Sequence, residues 1–481
     1  MTKPANTYAD HRRRFLADLG DAVAVIPAGH EQPRNDDVDH EFRQDSDFYF
    51  LTGFPEPDAV VVLDADRFTL FVRPRDREME TWNGYRAGVQ GAMERFGADD
   101  AYPIDDLESV LLDRLIGHSE MYYRWGGRLD GRMSELLKKL PSLHERFGYR
   151  VPFTITDPTS IVGELRLQKS EADLELLREA CNVSAAGHLE AMRFSSPGRF
   201  EYQVQSAMEY VFRQHGSMRN GYPSIVASGT NATVLHYTEN DRRMEDGDLV
   251  LIDAAAECGY FSADITRTFP VNGRFTGPQR AVYEVVLAAE RAGIAAALPG
   301  ATMRGIHETA RRVIVEGLVE LGLLPAGVDE SITMHHYREF FMHGTGHWLG
   351  MDVHDAGTYM LDGEHRRLEP GMTFTVEPGL YVRSDQDVAT FHLAEYDLDK
   401  WTERRLKLGL QKAKALEAEE LDKAGSIEHP IPEEFRGIGV RIEDDILITT
   451  SGNENLTAAV PVDLEAVEAV CGEASRLPFL T

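Results

Sequence analysis

Residues 249–270 read LVLIDAAAECGYFSADITRTFP, and two carboxylates sit where the surrounding pattern asks for apolar side chains. Asp253 closes the run 249–252, and Asp264 precedes Ile265 and the run 266–269. If Cys258 and Gly259 form the centre of a hairpin turn, the two aspartates become direct cross-strand partners on one face. Their Cβ atoms would then lie about 4.5–5.5 Å apart. Like charges so placed repel, and a partly buried pair is forced to take up a proton. A divalent cation removes the conflict; so does a longer turn that sends both side chains to water. With 80 acidic residues in the chain, the pair alone does not decide between them.

Three further stretches supply donors of the same kind. In FMHGTGHWLGMDVHD (341–355), Gly344 and Gly346 bracket a turn that leaves His347 on exposed, flexible backbone, with His343 and His354 on either side. In GMTFTVEPGLYV (371–382), Pro378 and Gly379 stop a strand just after Glu377 and set its carboxylate at a rim. In GVRIEDDILIT (439–449), Glu443 stands inside an apolar strand. Each residue alone reads as ordinary surface or core. Together they offer four carboxylates and one imidazole, a donor set for Mn²⁺, Co²⁺ or Zn²⁺ rather than for a thiolate zinc site. That is more than one ion needs. Two ions about 3.5–4 Å apart, bridged by carboxylates, would use all five and lower the pKa of a bridging water, so the implied chemistry is metal-assisted hydrolysis.

The elements that must position these residues fall into two textures. Residues 1–165 alternate short apolar runs (22–27, 59–63, 68–72) with helical stretches such as Leu107–Leu115, which predicts an α/β domain. Near residue 168 a capping-box pattern, Ser170 with Asp173, opens a run with Leu174, Leu177 and Cys181 at helical spacing. From there the sequence predicts helices over about 171–193, 200–215, 278–297 and 302–321. Strands are predicted at 224–227, 249–253, 264–269, 373–377 and 439–448. Helices grouped between hairpin-like strand pairs predict an α+β domain with an antiparallel sheet. Residues 385–430 stand apart as a charged insertion, DLDKWTERRLKLGLQKAKALEAEELDKAG among them. They predict a surface helix or helix pair, read as a solvated insertion or subunit contact, with a lid as the alternative.

A chain of 481 residues exceeds one ordinary core and implies two domains, 1–168 and 169–481. The net charge of −30 argues against nucleic acid or an anionic membrane as partner. It reads as a well-solvated surface, with salt adaptation as the sharper alternative. The three cysteines, Cys181, Cys258 and Cys471, share no metal spacing and suit a reducing compartment. The N-terminus carries charge where a signal peptide needs an apolar run, and the most apolar helical stretch, 281–299, is broken by Glu284, Glu290 and Arg291. A cytoplasmic protein without a membrane segment is expected.

These motifs in this order resemble the pita-bread metallopeptidases, the family of aminopeptidase P, prolidase and methionine aminopeptidase. RNDDVDHEFRQDSDFYFLTGFPEPDAVVVL (34–63) is similar to the aminopeptidase P N-terminal domain. The stretch 226–273, HGTGHWLGMDVHD, TVEPGLYV and RGIGVRIEDDILIT resemble its catalytic motifs. The resemblance implies a pita-bread catalytic domain with an antiparallel sheet, preceded by an α/β domain. It implies Asp253 on one metal, Asp264 and Glu443 on both, and His347 and Glu377 together on one ion. Glu377 is also implied as the acceptor of the water proton. His236 and His354 would orient substrate and stabilise the oxyanion. Arg441, with Tyr381 and Asp37, would join the hydrogen bonds that hold the ligands. Trp82 resembles an aromatic that reaches a neighbouring subunit's site.

The implied reaction removes an N-terminal residue from a peptide whose second residue is proline, with two Mn²⁺ ions (Co²⁺ or Zn²⁺ as alternatives), in a homodimer or homotetramer. The charged insertion lengthens the chain between Tyr381 and Arg441 beyond the family pattern. HGTGHWLG also differs locally from some relatives. Two rivals remain: a prolidase acting only on Xaa-Pro dipeptides, and a non-catalytic or metal-free protein on the same fold, in which the ligands are expected to be lost.

Overall fold

The computed structural model describes residues 5–65, 67–395 and 397–477. It divides into two compact units, Met1–Leu167 and Gln168–Thr481. The first is built on a six-stranded sheet whose strands run in the order Asp100–Pro103, Arg67–Val72, Val60–Asp64, Val23–Pro27, Glu120–Tyr122 and Thr154–Thr156. The three middle pairings differ: Val60–Asp64 is antiparallel to both Arg67–Val72 and Val23–Pro27, whereas Val23–Pro27 is parallel to Glu120–Tyr122. Alternate strand residues Val23, Val25, Val60 and Val62 face Leu107, Leu111 and Leu115, which recur at helical spacing on one stripe.

The second unit is framed by helices Glu171–Phe194, Glu201–Gln214, Gly277–Ala296 and Met303–Glu320. Two of them start with capping boxes, Ser170 with Asp173 and Thr276 with Gln279, each satisfying otherwise orphan backbone N–H groups. The helices Gly277–Ala296 and Met303–Glu320 approach closely because Gly317 has no side chain; a Cβ there would lie 2.4 Å from Val285. Beside them lie antiparallel sheets. One joins Ile225–Ser228, Leu249–Asp253 and Thr266–Pro270; another joins Thr373–Val376, Asp444–Ile448 and Asn453–Asn455; Gly379–Tyr381 pairs with Gly439–Arg441. Val282, Val286, Leu318, Leu380, Val440 and Ile442 close the core between helices and strands. Among the described residues no helix is long and apolar enough to cross a membrane.

Three expectations change. The hairpin turn is centred on Gly259 and Tyr260, both at positive φ (55° and 71°), not on Cys258 and Gly259. A two-residue turn of this hand suits the twist of the flanking strands. Asp253 is therefore paired with Thr266 rather than with Asp264. Because side chains alternate with period two, Asp264 remains on the same face as Thr266, a diagonal neighbour of Asp253. The predicted strand 439–448 is two strands, interrupted at Ile442 and Glu443, where Glu443 makes an isolated bridge to Thr266.

His347 is not on flexible backbone. Its segment runs against Thr373–Val376, with His347 accepting from Thr375 N–H at 3.0 Å and Leu349 N–H donating to Thr373 at 3.0 Å. Gly346 is there for closeness, since a Cβ would fall 1.9 Å from the Thr375 carbonyl oxygen. The charged insertion carries the expected helix pair, and its flanks form strands. Helices Leu398–Leu408 and Leu410–Ala424 turn at Gly409 and sit between two antiparallel strands, Val388–His392 and Ser426–Pro430. Trp401 anchors the helix pair in a buried position, while Leu406 is exposed.

Candidate metal centre

All eight predicted site residues line one cavity of about 520 Å³ in the second unit: Asp253, Asp264, His347, Glu377, Glu443, His236, His354 and Arg441. They arrive from separate elements. Asp253 ends the strand Leu249–Asp253, and Glu377 falls in the gap between Thr373–Val376 and Gly379–Tyr381. Arg441 ends Gly439–Arg441, and Glu443 follows in the strand break. Asp253 and Arg441 close regular strands, whereas the strand breaks at Glu377 and Glu443 let those two carboxylates turn off the sheet toward the cavity.

One oxygen or nitrogen from each of Asp264, His347 and Glu443 lies within 4.8 Å of the others, close enough to share an ion. His347 Nε2 is 3.3 Å from Asp264 and 3.7 Å from Glu377. Asp253 adjoins this group through two proton donors. The Tyr222 hydroxyl is 2.6 Å from Asp253 Oδ1 and 2.5 Å from Asp264 Oδ1, and Arg441 Nη2 donates to Asp253 Oδ2 at 2.6 Å. Arg441 also donates to the Tyr381 hydroxyl at 3.0 Å, while Thr266 Oγ1 donates to Glu443 at 2.7 Å. Behind the site, Asp264 N–H donates to the buried Asp445 at 3.0 Å.

Electrostatics mark the cluster as short of positive charge. Burial, followed by the neighbouring Asp264, Glu377 and Asp253, raises Glu443 well above the carboxylate range. Burial also raises Asp264, against the hydrogen bond from His347. Glu377 is pushed up to about 7, by burial first and by Asp264 and Asp253 against the pull of His347 and Arg441. On His347 burial works downward, but the hydrogen bond and charge of Asp264 outweigh it and lift the imidazole to about 9. Removing charges from water is costly unless they are paired, and carboxylates packed this closely call for a cation. The oxygen-rich donor set with one imidazole fits hard or borderline divalent ions.

Three other expected positions stand elsewhere or in supporting roles. Tyr381 is buried and touches the site through Arg441 and through His343 Nε2 at 2.9 Å. Asp37 and Trp82 belong to the first unit, both exposed, Trp82 to 81%. Sequence reading missed Tyr222, which lies just before Pro223 and the strand Ile225–Ser228 and carries no local pattern of its own.

The sequence profile of metallopeptidase family M24 matches residues 175–450, and that of the aminopeptidase P N-terminal domain matches residues 8–123. The chain belongs to metallopeptidase family M24. Among M24 relatives, the Xaa-Pro aminopeptidase of Haemophilus influenzae is 38% identical over 475 residues, covering 97% of either chain. The solved aminopeptidase PepP of Pseudomonas aeruginosa superposes with a TM-score of 0.86 at 41% identity, over 98% of each chain. Aminopeptidase P of Escherichia coli, solved with the inhibitor Pro-Leu, gives 0.85 at 38% identity, over 98% of this chain and 99% of that one. The architecture is thus an α/β N-terminal domain and an M24 pita-bread domain with antiparallel sheets. The M24 assignment makes the chain a metallohydrolase, and its buried acids and His347 are the groups suited to hold divalent ions.

Proposed function

We propose that this protein is a Xaa-Pro aminopeptidase, releasing the N-terminal residue from peptides whose second residue is proline. The observation that carries this reading is the single cavity in which the five metal-type donors meet an apolar wall of Tyr222, Pro223, Ile225, Leu235 and Val353. A peptide bond to proline has no N–H, so recognition must come from contact with the pyrrolidine ring, and that wall offers it. The similarity to Xaa-Pro aminopeptidases across nearly the whole chain supports the same reading.

Asp253, Asp264, His347, Glu377 and Glu443 would hold two divalent ions, Mn²⁺ by preference, with Co²⁺ and Zn²⁺ as alternatives. When bound, such ions acidify water and polarise a carbonyl. Glu377 takes the proton of the attacking water and passes it to the proline nitrogen as the C–N bond breaks. His354, an imidazole in van der Waals reach of the His347 ring, lines the cavity where it can present an N–H to the carbonyl oxygen. His236, exposed at the cavity rim, lies where it can orient the peptide. Arg441 fixes Asp253 and Tyr381 and so keeps the ligand geometry. A cytoplasmic homodimer or homotetramer is part of the proposal, with Trp82 reaching a neighbouring copy.

Metal analysis of the purified protein and turnover of Xaa-Pro-Xaa tripeptides, Xaa-Pro dipeptides and Xaa-Ala-Xaa controls test it. Bound Mn²⁺, Co²⁺ or Zn²⁺ with chelator-sensitive cleavage of the proline tripeptides is expected. Activity on dipeptides alone would turn the assignment to prolidase, and metal-free protein indifferent to chelator would remove the hydrolase mechanism.

A further inference from the structure

A second cavity, of about 790 Å³, lies in the same unit and shares His343 with the metal-centre cavity. It is bounded by the first turns of helix Met303–Glu320, the 3₁₀ turn His336–Glu339 and the glycine-rich backbone at 344–346. Its charges are unevenly matched. Arg304 is taken up by Glu308 and Asp399, each at 3.0 Å, and Asp397 caps the next helix by accepting from Lys400 N–H at 2.9 Å. Arg311 makes neither ion pair nor hydrogen bond among the described residues; its Nε is buried without an acceptor, and its guanidinium stands 5.7 Å from the Tyr337 ring centroid. Arg338 lines the cavity as well. Burial, and then the charges of Arg311 and Arg338, hold His307 and His335 down to about 4.

Arg311 lines the cavity with no counter-charge among the described residues and with its Nε shielded from water, so an anion at the cavity face of the guanidinium would offset an otherwise unmatched charge. The surroundings are also suited to donation. His307 Nδ1 meets the Thr345 hydroxyl at 2.7 Å and His335 Nδ1 meets the Tyr337 hydroxyl at 3.2 Å. With each Nδ1 taken as acceptor, each neutral ring carries its hydrogen on Nε2.

We propose that this cavity binds a small anionic group, a carboxylate or a tetrahedral oxyanion, through Arg311 and Arg338, with His307 and His335 as hydrogen-bond donors. The site is joined to the metal centre by a short chain of bonds: His307 to Thr345, and the Thr345 carbonyl to Glu377 N–H at 2.9 Å. An anion held here therefore bears on the backbone that carries Glu377. The anion has two conceivable sources, an acidic side chain of the peptide substrate or a free anion in solution.

Metal-loaded wild type, Arg311→Ala and Arg311→Lys are titrated calorimetrically with sulfate, a weak metal ligand. The same three proteins are assayed for kcat/KM on Glu-Pro-Gly and Gln-Pro-Gly. Sulfate affinity reduced about tenfold or more in Arg311→Ala, with Arg311→Lys retaining most of it, identifies a free-anion site. A wild-type preference for Glu-Pro-Gly that disappears in Arg311→Ala identifies the substrate's own carboxylate. Sulfate binding that is absent, or equal in all three proteins, together with an unchanged Glu-to-Gln ratio, overturns the proposal. Should Arg311→Ala unfold, Arg311→Gln replaces it, since Gln keeps hydrogen bonding and lacks the charge. The sulfate titration needs no turnover, so its failure is distinguishable from failure of the peptidase reading.

Discussion

Stripping the divalent ions should expose a pH dependence of stability to which Glu377 and His347 contribute alongside the raised carboxyls of Asp264 and Glu443. Burial and the nearby Asp264 and Asp253 lift Glu377 from 4.5 to about 7. A carboxyl whose folded pKa lies above its unfolded value binds its proton more tightly when folded. Its contribution to stability is whole below pH 4.5 and is lost as pH rises toward 7. Going from 4.5 to about 7 spans about 2.5 pH units, and at about 1.36 kcal/mol per unit this amounts to roughly 3 kcal/mol. That is a large share of the margin of an ordinary domain. His347 acts with the same sign in a later window: lifted from 6.5 to about 9, it stabilises fully below 6.5 and loses that contribution toward pH 9. Glu443 and Asp264, also raised by burial, act with the same sign as Glu377, so metal-free protein should weaken as pH rises from about 4.5 toward 9. Urea unfolding of chelator-treated wild type and Glu377→Gln across that range, followed by circular dichroism, reads the effect. The variant should gain roughly 3 kcal/mol on the wild type between about pH 4.5 and 7. Saturating Mn²⁺ should flatten the wild-type profile, because the ions bind the deprotonated ligands. Parallel profiles for the two metal-free proteins would refute the picture of an uncompensated carboxylate cluster.

Asp264→Ala should lose metal stoichiometry and at least about a hundredfold in turnover, yet leave the metal-free fold at neutral pH as stable as wild type or firmer, since a repelling carboxylate is gone. Near-normal turnover in this variant, measured with metal content, would contradict its place in the centre. His354→Ala should cut kcat by about 10²–10³ while retaining both ions, as expected for loss of one donor to the oxyanion. Loss of metal instead would show it to be a ligand. Replacing 393–425 by a two-residue turn should leave metal content and tripeptide turnover within about threefold, because His392 and Ser426 already face each other across the strand pair and no predicted ligand lies between them.

The metal-type donors were legible because they break local rules. An aspartate after four apolar residues, or a glutamate between isoleucines, contradicts the burial its neighbours announce, and the contradiction is visible in one dimension. The helix start at Ser170 was legible for a related reason: Ser170 with Asp173 is local chemistry. The hairpin register was not, since Tyr260 at φ 71° is an unlikely turn residue by its type and is held there by the packed surroundings. The error was harmless to the site because a slip of two residues preserves the face; a slip of one would have separated Asp253 from Asp264. Glycines misled in another way. Gly346 suggested mobility at His347, but it serves the close pairing of two backbones that fixes the imidazole. The hydroxyls that hydrogen-bond the acids were least visible of all. Tyr222 and Thr266 are ordinary residues at the edges of strands, and nothing in their neighbours marks them as proton donors to Asp253, Asp264 and Glu443. Their role exists only once strands distant in sequence converge. A buried charge thus announces itself in sequence, whereas the partner that makes it tolerable is specified by tertiary structure.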